Sequence, residues 1–302
     1  MTGHTDTITG GPDVGFWVLN LLLVVAAAYT LGVHRLSVRG HHWPVTRSTA
    51  AAVGLCCLAL AVLPAPAGTG FAGHVVQHLL MAMVAPLLLA LSAPVTLVLR
   101  VAPLKTRRLL VTALHSRGAL VLMTAPVVLV LNVGGVYAYY LTPLYDIAHQ
   151  QPWVQGLVDL HMFLAGCLFS WYLIGRYPIS HRPSLPAALS VLLLAAASHD
   201  LLAKLLYAKQ IPTTAGTPEQ IHLGAQIMYY GGNVIELLLA TLVMTGWYQR
   251  SGRHLKQEQR TQVRKPSKPL TPSAGRVLPP PESWRRLPHR NHGIPADPRS
   301  DN

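Results

Sequence analysis

Long apolar stretches, separated by short polar segments, follow one another from residue 14 to about residue 250. A helix that spans a membrane needs roughly 20 predominantly apolar residues, and seven stretches approach or exceed this length. They are residues 14–33, 48–63, 72–99, 118–140, 154–175, 185–208 and 222–248. The third is long enough to contain a kink at Pro86 or Pro94, because proline removes a backbone N–H from the helical ladder. The pattern predicts an all-α fold, a bundle of seven transmembrane helices.

Lys and Arg lie mainly in the loops on one side of this predicted bundle. The loops after the first, third and fifth spans hold Arg35, Arg39, Arg47, Arg100, Lys105, Arg107, Arg108, Arg117, Arg176 and Arg182. No Lys or Arg precedes the first span or separates the second from the third or the fourth from the fifth, and Lys209 is the main exception. Cytoplasmic loops are enriched in these residues. We therefore expect the N-terminus outside the cell and the C-terminus in the cytoplasm.

Composition supports a membrane protein and sets its ends apart. Only 12% of the residues are charged and 51% are hydrophobic, whereas soluble domains carry about 25% charged residues. We divide the chain into a short extracytoplasmic segment (1–13), a membrane domain (14–250) and a basic, Pro-rich tail (251–302). The tail has too few aliphatic residues to fold alone, and we expect it to be disordered and to contact anionic lipid headgroups rather than nucleic acid.

The third span begins with an unusual set of polar side chains, in GHVVQHLLMAMVAP (73–86). His74, His78 and Met81 stand at i, i+4 and i+7 and fall on one helical stripe, with Gln77 at its edge. Ionisable side chains within membrane spans are costly and point to function. Two imidazoles and a thioether favour a site for a soft metal ion. The alternative is that both histidines lie in the hydrated interfacial zone and make structural hydrogen bonds.

Further histidines lie at a similar depth in other spans. His161 is in the fifth span, His199 in the sixth, and His222 at the start of the seventh. At 1.5 Å per residue, His78, His161 and His199 lie roughly 9–13 Å below the outer surface. We therefore predict a shared pocket near the outer leaflet. Imidazole and thioether ligands favour copper, and the thioether favours Cu(I).

The predicted metal ligands share this position near the outer end of the bundle and are His74, His78, Met81, His161, His199 and His222. Four further polar residues are predicted to support them or to relay protons, namely Gln77, Asp200, Glu219 and Glu236. A carboxylate such as Asp200 can orient a ligating imidazole. Glu236 lies deeper in the seventh span, and a proton relay and a protonated structural acid are equally good interpretations of it.

Three stretches of the chain resemble the CtaG family of bacterial cytochrome c oxidase assembly proteins. They read HVVQHLLMAMVAPLLLALSAPVTLVLR (74–100), LHMFLAGCLFSWYLIG (160–175) and GAQIMYYGGNVIELLLATLVMTGWYQR (224–250). The H-x-x-Q-H start of the first stretch, followed by A-P-V-T-L-x-L-R, is the most specific part. The likeness extends over residues 14–250 in the number and order of the helices and leaves out the tail.

The resemblance implies a multi-pass protein of the bacterial plasma membrane that helps to make haem–copper oxidases by supplying copper, without catalysing a reaction. His74 and His78 match the histidine pair of the family, and His161 matches its later histidine. The implied partners are a cytochrome c oxidase subunit or other copper-handling proteins. The roles of His199 and His222 rest on the depth argument alone.

Three other functions remain open from the sequence. His78 and His161 could be the axial ligands of a haem in a membrane cytochrome. The His199–Asp200 pair could relay protons in a proton-coupled transporter. Finally, the protein could be a scaffold for oxidase subunits whose histidines only make structural hydrogen bonds.

Overall fold

A computed structural model describes residues 14–63, 70–175 and 183–264, so the predicted segment 1–13 and residues 265–302 of the predicted tail lie outside the described residues. These ranges are helical and contain no strand. The helices are α1 (Val14–Val38), α2 (Val45–Val62), α3 (Gly70–Leu79), α4 (Ala85–Ser92), α5 (Pro94–Val101), α6 (Leu104–Leu114), α7 (Arg117–Leu122), α8 (Ala125–Leu129), α9 (Gly135–Leu141), α10 (Leu144–Gln150), α11 (Pro152–Ile174), α12 (Leu185–Lys209) and α13 (Pro218–Arg264). Leu80–Val84 joins α3 to α4, and Val130–Gly134 joins α8 to α9, each as a π-helical turn.

Six helical stretches of the described chain are long and apolar enough to cross a membrane. They are Gly15–Val38, Val45–Val62, Gly70–Val101, Pro152–Ile174, Leu185–Lys209 and Pro218–Gly252. A seventh is obtained if Ala125–Leu141 and Leu144–Gln150, which meet at a bend of 77°, are counted as one span. The predicted membrane bundle is thus confirmed with six to seven candidate spans, and the orientation of its ends stays a prediction.

The predicted fourth span, 118–140, is not a single helix. It is divided into α7, α8, a π turn and α9, and Thr124 between α7 and α8 has an extended backbone. Pro126 explains the first break, because its ring clashes with the carbonyl of the residue four positions earlier and it has no N–H for that carbonyl. That residue is Leu122, where α7 ends. Hydropathy alone does not register this interruption.

The third span is irregular at both of the prolines that the sequence singled out. The π turn Leu80–Val84 comes just before Pro86, and the N–H of Ala85 bonds to the carbonyl of Leu80, five residues back. Ala93 adopts a left-handed backbone, with φ +51°, immediately before Pro94. The residue before a proline is disfavoured in the right-handed α conformation. The regular α-helical backbone of the span is therefore interrupted at two places along its length.

Helix α11 packs closely against this irregular third span and α13 against its start. Gly166 of α11 faces the carbonyl of Ala82 in the π turn, and Gly224 of α13 faces the ring of Phe71. Apolar side chains fill the space around these contacts, among them Val75, Leu79, Met162, Leu202 and Met228. The outer surfaces are apolar as well, as expected in contact with lipid, and Leu193 and Leu237 are 67% and 70% exposed.

The last helix continues past the predicted end of the membrane domain. The membrane helices of the described chain belong to one compact unit, and the boundary of that unit falls after Ser251. Helix α13 runs from Pro218 to Arg264, so the beginning of the predicted tail is helical. Basic residues such as Arg250 and Arg253 do not oppose a helix, because Arg and Lys are good helix formers.

Candidate functional site

A small polar cavity lies between α3, its π turn, α9 and α11. Its volume is about 50 Å³, and one water takes up about 30 Å³ in the liquid, so there is room for an ion or one or two waters. The polar and sulfur-containing side chains around it are His74, Gln77, His78, Met81, Tyr139, Gln155, Asp159 and Met162. We call this space the His–Met cavity.

The α3 wall of the His–Met cavity is the stripe that the sequence indicated. His74, His78 and Met81 all line it, together with Gln77. His78 is 6% exposed, and Nε2 of His74 is buried and has no hydrogen-bond partner within the described residues. The side-chain amide of Gln77 donates to the carbonyl of Leu63 and so ties α3 to the end of α2.

The opposite wall comes from α11 and was not recognised in the sequence. Gln155, Asp159 and Met162 face the cavity and stand at i, i+4 and i+7, the same spacing as the α3 stripe. Nε2 of Gln155 donates to Oδ1 of Asp159 at 2.8 Å, and the Tyr139 hydroxyl lies 3.3 Å from Oε1 of Gln155. A search for this spacing among all polar and sulfur-containing residues, instead of histidines alone, would have found the wall.

Aromatic rings surround His74 and fix the orientation of its imidazole. Its ring centroid lies 5.7 Å from that of Tyr139 and 5.6 Å from that of Tyr145, and Phe71 stacks on it at 6.2 Å. His149 of α10 adds a second imidazole, at 5.5 Å from His74. His149 lies in a short polar helix outside the predicted spans, so neither hydropathy nor depth in a span marked it as a site residue.

His161 belongs to α11 but does not line the His–Met cavity. Its Nε2 lies 3.1 Å from the carbonyl oxygen of Leu131, in the second π turn. A regular α-helix would pair that carbonyl with the N–H of Gly135. Gly135 also leaves the space that the imidazole occupies, because a Cβ atom there would overlap the ring. A side chain inserted into the helical ladder is a known cause of local irregularity.

His199 faces a carboxylate of α13 rather than the cavity. Its Nδ1 lies 3.8 Å from Oε1 of Glu236, with the two side chains 11% and 9% exposed. Both ring nitrogens of His199 and Oε2 of Glu236 are buried without a hydrogen-bond partner in the described part of the chain. Gly232 makes room for the imidazole. Electrostatically, His78 interacts with His199 on one side and with His74 on the other.

The remaining predicted site residues lie apart from the cavity lining. Asp200 accepts a hydrogen bond from Nδ2 of Asn233 at 2.9 Å, so its partner is an amide of α13. His222 stacks on Tyr207 with ring centroids 4.2 Å apart. Glu219 is exposed in the first turn of α13, where a negative charge is favoured by the helix dipole. Their predicted ligand and relay roles stay predictions.

The donors of the His–Met cavity are not a conventional carboxylate or thiolate set. In residues 14–63, 70–175 and 183–264, no three His, Cys, Asp and Glu side chains are arranged to hold a metal ion. The described cysteines, Cys56, Cys57 and Cys167, are free, and none of them lines the cavity. What the cavity does offer is two imidazoles and two thioethers, which suit a soft ion of low coordination number.

Comparison with known proteins places the chain in a family. Uncharacterized proteins of Mycobacterium bovis and Mycobacterium tuberculosis are each 27% identical to it over 260 residues, and one of Mycobacterium leprae is 26% identical over 263 residues. These alignments cover 79% of this chain but 39–40% of the relatives, so the chain spans about two fifths of their length.

No solved structure matches the chain. The model of a family described as "cytochrome c oxidase caa3 assembly factor" matches residues 27–250, which include the whole lining of the His–Met cavity. The chain therefore belongs to the Caa3_CtaG family of cytochrome c oxidase caa3 assembly factors.

Proposed function

We propose that this assembly factor binds copper as Cu(I) in the His–Met cavity and passes it to a haem–copper oxidase that is being assembled. Copper is the cargo in this proposal and not a resident cofactor. One observation carries it, the convergence of two imidazoles and two thioethers on a small cavity. His74 and His78 supply the imidazoles, and Met81 and Met162 supply the thioethers. Thioether sulfur selects Cu(I) over harder divalent ions.

The unpartnered nitrogen of His74 supports an occupant for this cavity. More than about nine in ten buried polar groups in proteins have a hydrogen-bond partner, and each exception needs an explanation. Nε2 of His74 is such an exception within the described residues. A bound ion or an ordered water would satisfy it. The carboxylate of Asp159, on the facing wall, would partly balance the charge of a cation at a depth where charge is costly.

The size of the cavity argues for an ion and against a haem. Pockets for organic ligands and cofactors have volumes of about 300–1,000 Å³, several times the volume of about 50 Å³ found here. His161, the proposed second axial ligand of a haem, uses Nε2 for the carbonyl of Leu131. A macrocycle between His78 and His161 would need both the cavity and this hydrogen bond to be rebuilt.

Transport with proton coupling is a second candidate, supported by the buried His199–Glu236 pair. The predicted relay consisted of His199 and Asp200, but Asp200 is engaged by Asn233. A hydrogen-bonded carboxylate can still exchange a proton, so Asp200 stays a candidate for the relay, and Glu236 adds a second carboxylate 3.8 Å from His199. Cation flux in proteoliposomes that is lost in Glu236→Gln would favour transport, and the copper proposal expects no such flux.

The test of the copper proposal uses the full-length protein, purified in detergent from a bacterial membrane after growth with added copper. Met81→Leu/Met162→Leu removes both sulfurs and nearly conserves volume, an exchange that cores tolerate at less than about 1.5 kcal/mol. Met83→Leu is the matched control, because Met83 belongs to the same π turn but does not line the cavity. Copper per chain, and competition with a coloured Cu(I) chelator, are measured for each.

We expect the wild type and Met83→Leu to hold one Cu(I) per chain and the double variant to bind roughly tenfold more weakly, or worse. Equal affinity in the double variant would remove the thioethers from the site. No copper in any sample, with oxidase activity restored in cells by all three proteins, would instead favour the scaffold role.

A further inference from the structure

His149 of α10 is in ring contact with His74, a residue that lines the His–Met cavity, although His149 is not itself part of that lining. It is exposed on α10, and its Nδ1 lies 2.8 Å from the carbonyl oxygen of Tyr145. A carbonyl oxygen only accepts, so Nδ1 carries the proton in the neutral ring and Nε2 carries the lone pair. The ring also packs on Tyr145, with centroids 4.1 Å apart. These two contacts hold the imidazole in place and leave Nε2 as its available ligand atom.

The buried partner for such an ion is His74. The two ring centroids are 5.5 Å apart, and Nε2 of His74 has no partner among the described residues. With metal–nitrogen distances of about 2.0–2.1 Å and each nitrogen about 1.1 Å from its ring centre, two imidazoles on one ion hold their centroids roughly 6.3 Å apart in a linear arrangement and roughly 5 Å apart at a tetrahedral angle. The observed separation therefore fits an ion held between His149 and His74 at a bent angle, and a linear two-coordinate ion would need the two rings to separate by about 1 Å.

The charges and the anchoring of α10 suit this position. Asp159, on the α11 wall, interacts electrostatically with His149 and favours a cation there. Asp146, three residues before His149 on α10, accepts a hydrogen bond from the hydroxyl of Thr214 in the segment between α12 and α13. Helix α10 is thus tied to a second loop on the same end of the bundle, and this contact helps to hold His149 in position beside His74.

We infer that His149 is the entry ligand of the His–Met cavity, and this inference rests on the proposed function. A soft monovalent ion, Cu(I), is first held between Nε2 of His149 and Nε2 of His74. It then moves inward as the bond to His149 breaks and a bond to His78 or Met81 forms. His74 remains bound throughout, so the ion is never without a ligand, and its charge and oxidation state do not change.

The test measures the rate of loading separately from the amount loaded. Detergent-purified, metal-free protein is mixed with a coloured Cu(I)–chelator complex, and the loss of its absorbance reports transfer to the protein. His149→Phe keeps an aromatic ring against Tyr145 but removes Nε2. His115→Phe is the matched control. His115 is also exposed and its Nδ1 makes the same 2.8 Å contact with a carbonyl four residues earlier, but within the described residues no ring contact joins it to the cavity lining, whereas His149 contacts His74.

We expect His149→Phe to load copper at least tenfold more slowly than wild type and to reach the same final copper content, with His115→Phe unchanged in both. An unchanged loading rate in His149→Phe would overturn the entry role while leaving the cavity proposal intact. A loss of final copper content equal to that of Met81→Leu/Met162→Leu would make His149 a permanent ligand and would also overturn it. Absence of copper transfer to the wild type would contradict both the entry role of His149 and the copper site in the His–Met cavity.

Discussion

Replacement of Gly166 by Ala tests the close packing that holds the two walls of the cavity together. A methyl group at this position of α11 would overlap the carbonyl oxygen of Ala82 and lie 3.0 Å from both the Ala82 carbonyl carbon and Cγ of Pro86. Ordinary contact begins at 3.4 Å. The obstructing atoms are backbone and a proline ring, neither of which can turn away as a flexible side chain can. The helices must therefore move apart.

The expected change in the free energy of unfolding has two opposing contributions. Overpacking of a well-packed interior costs about 1–3 kcal/mol, while Ala in place of Gly favours an exposed helix position by about 1 kcal/mol. Gly156→Ala is the control that shows the helix preference alone, because Gly156 lies in the same helix and a Cβ atom there meets nothing within 4 Å. The helix preference acts at both positions and cancels, so the free energies of unfolding of the two variants should differ by the overpacking cost alone, about 1–3 kcal/mol.

The assay is thermal unfolding of the detergent-purified variants, followed by aromatic fluorescence. A difference of this size corresponds to roughly 2–12 °C in Tm, at about 2–4 °C per kcal/mol for a domain of 150–250 residues. Gly166→Ala should also bind Cu(I) more weakly, because Met81 and Met162 lie close to this contact on the facing walls. If Gly166→Ala proved as stable as Gly156→Ala, the contact between α11 and the π turn would be looser than described, and the reasoning would fail.

Two further predictions concern histidines that lie outside the cavity. His161→Phe leaves the Leu131 carbonyl without its imidazole partner, so we expect a loss of about 1–3 kcal/mol in stability, and an unchanged Tm would show that this hydrogen bond is unimportant. Glu236→Leu alone should destabilise the protein, because it leaves His199 without the carboxylate of Glu236. The double variant His199→Leu/Glu236→Leu should recover or exceed wild-type stability, by up to about 4 kcal/mol, since a buried pair replaced by apolar groups is often no less stable. A double variant less stable than the single one would contradict this expectation.

The spans of the bundle were largely predictable because lipid contact imposes a length on each apolar stretch. The predicted sixth span, 185–208, corresponds to α12 at Leu185–Lys209, and the predicted fifth, 154–175, to α11 at Pro152–Ile174. The fourth predicted span, 118–140, is interrupted and its region counts as one span only if the bent pair Ala125–Leu141 and Leu144–Gln150 is taken together. Hydropathy averages over residues and does not register the backbone hydrogen bond that Pro126 removes. The family was also predictable, because the H-x-x-Q-H start of the third span is a specific pattern.

The site was predictable only in part, because depth along a helix does not fix the direction of a side chain. His161 and Met162 are neighbours on α11, but each residue turns the helix by about 100°, and only Met162 lines the cavity. The α3 stripe was found because its members share one face of one helix, so only spacing was needed. His149 could not be placed from spacing, since its approach to His74 depends on the bend between α9 and α10.

Helix α11 links the irregular backbone of this membrane protein to its candidate site. Backbone carbonyls that lose their helical partner are costly inside a membrane, so irregular turns are tolerated where other protein groups cover them. The Ala82 carbonyl, which would have bonded to the missing N–H of Pro86, packs against Gly166, and the Leu131 carbonyl is met by His161. Both groups come from α11, and Met162, one turn before Gly166 on the same face of that helix, lines the cavity. Each contact with a π turn limits how α11 can rotate or slide, and together they fix the height and direction of Met162 relative to the α3 stripe. The two irregular turns are thus what sets the geometry of the His–Met cavity, in line with the frequent occurrence of π turns at functional sites.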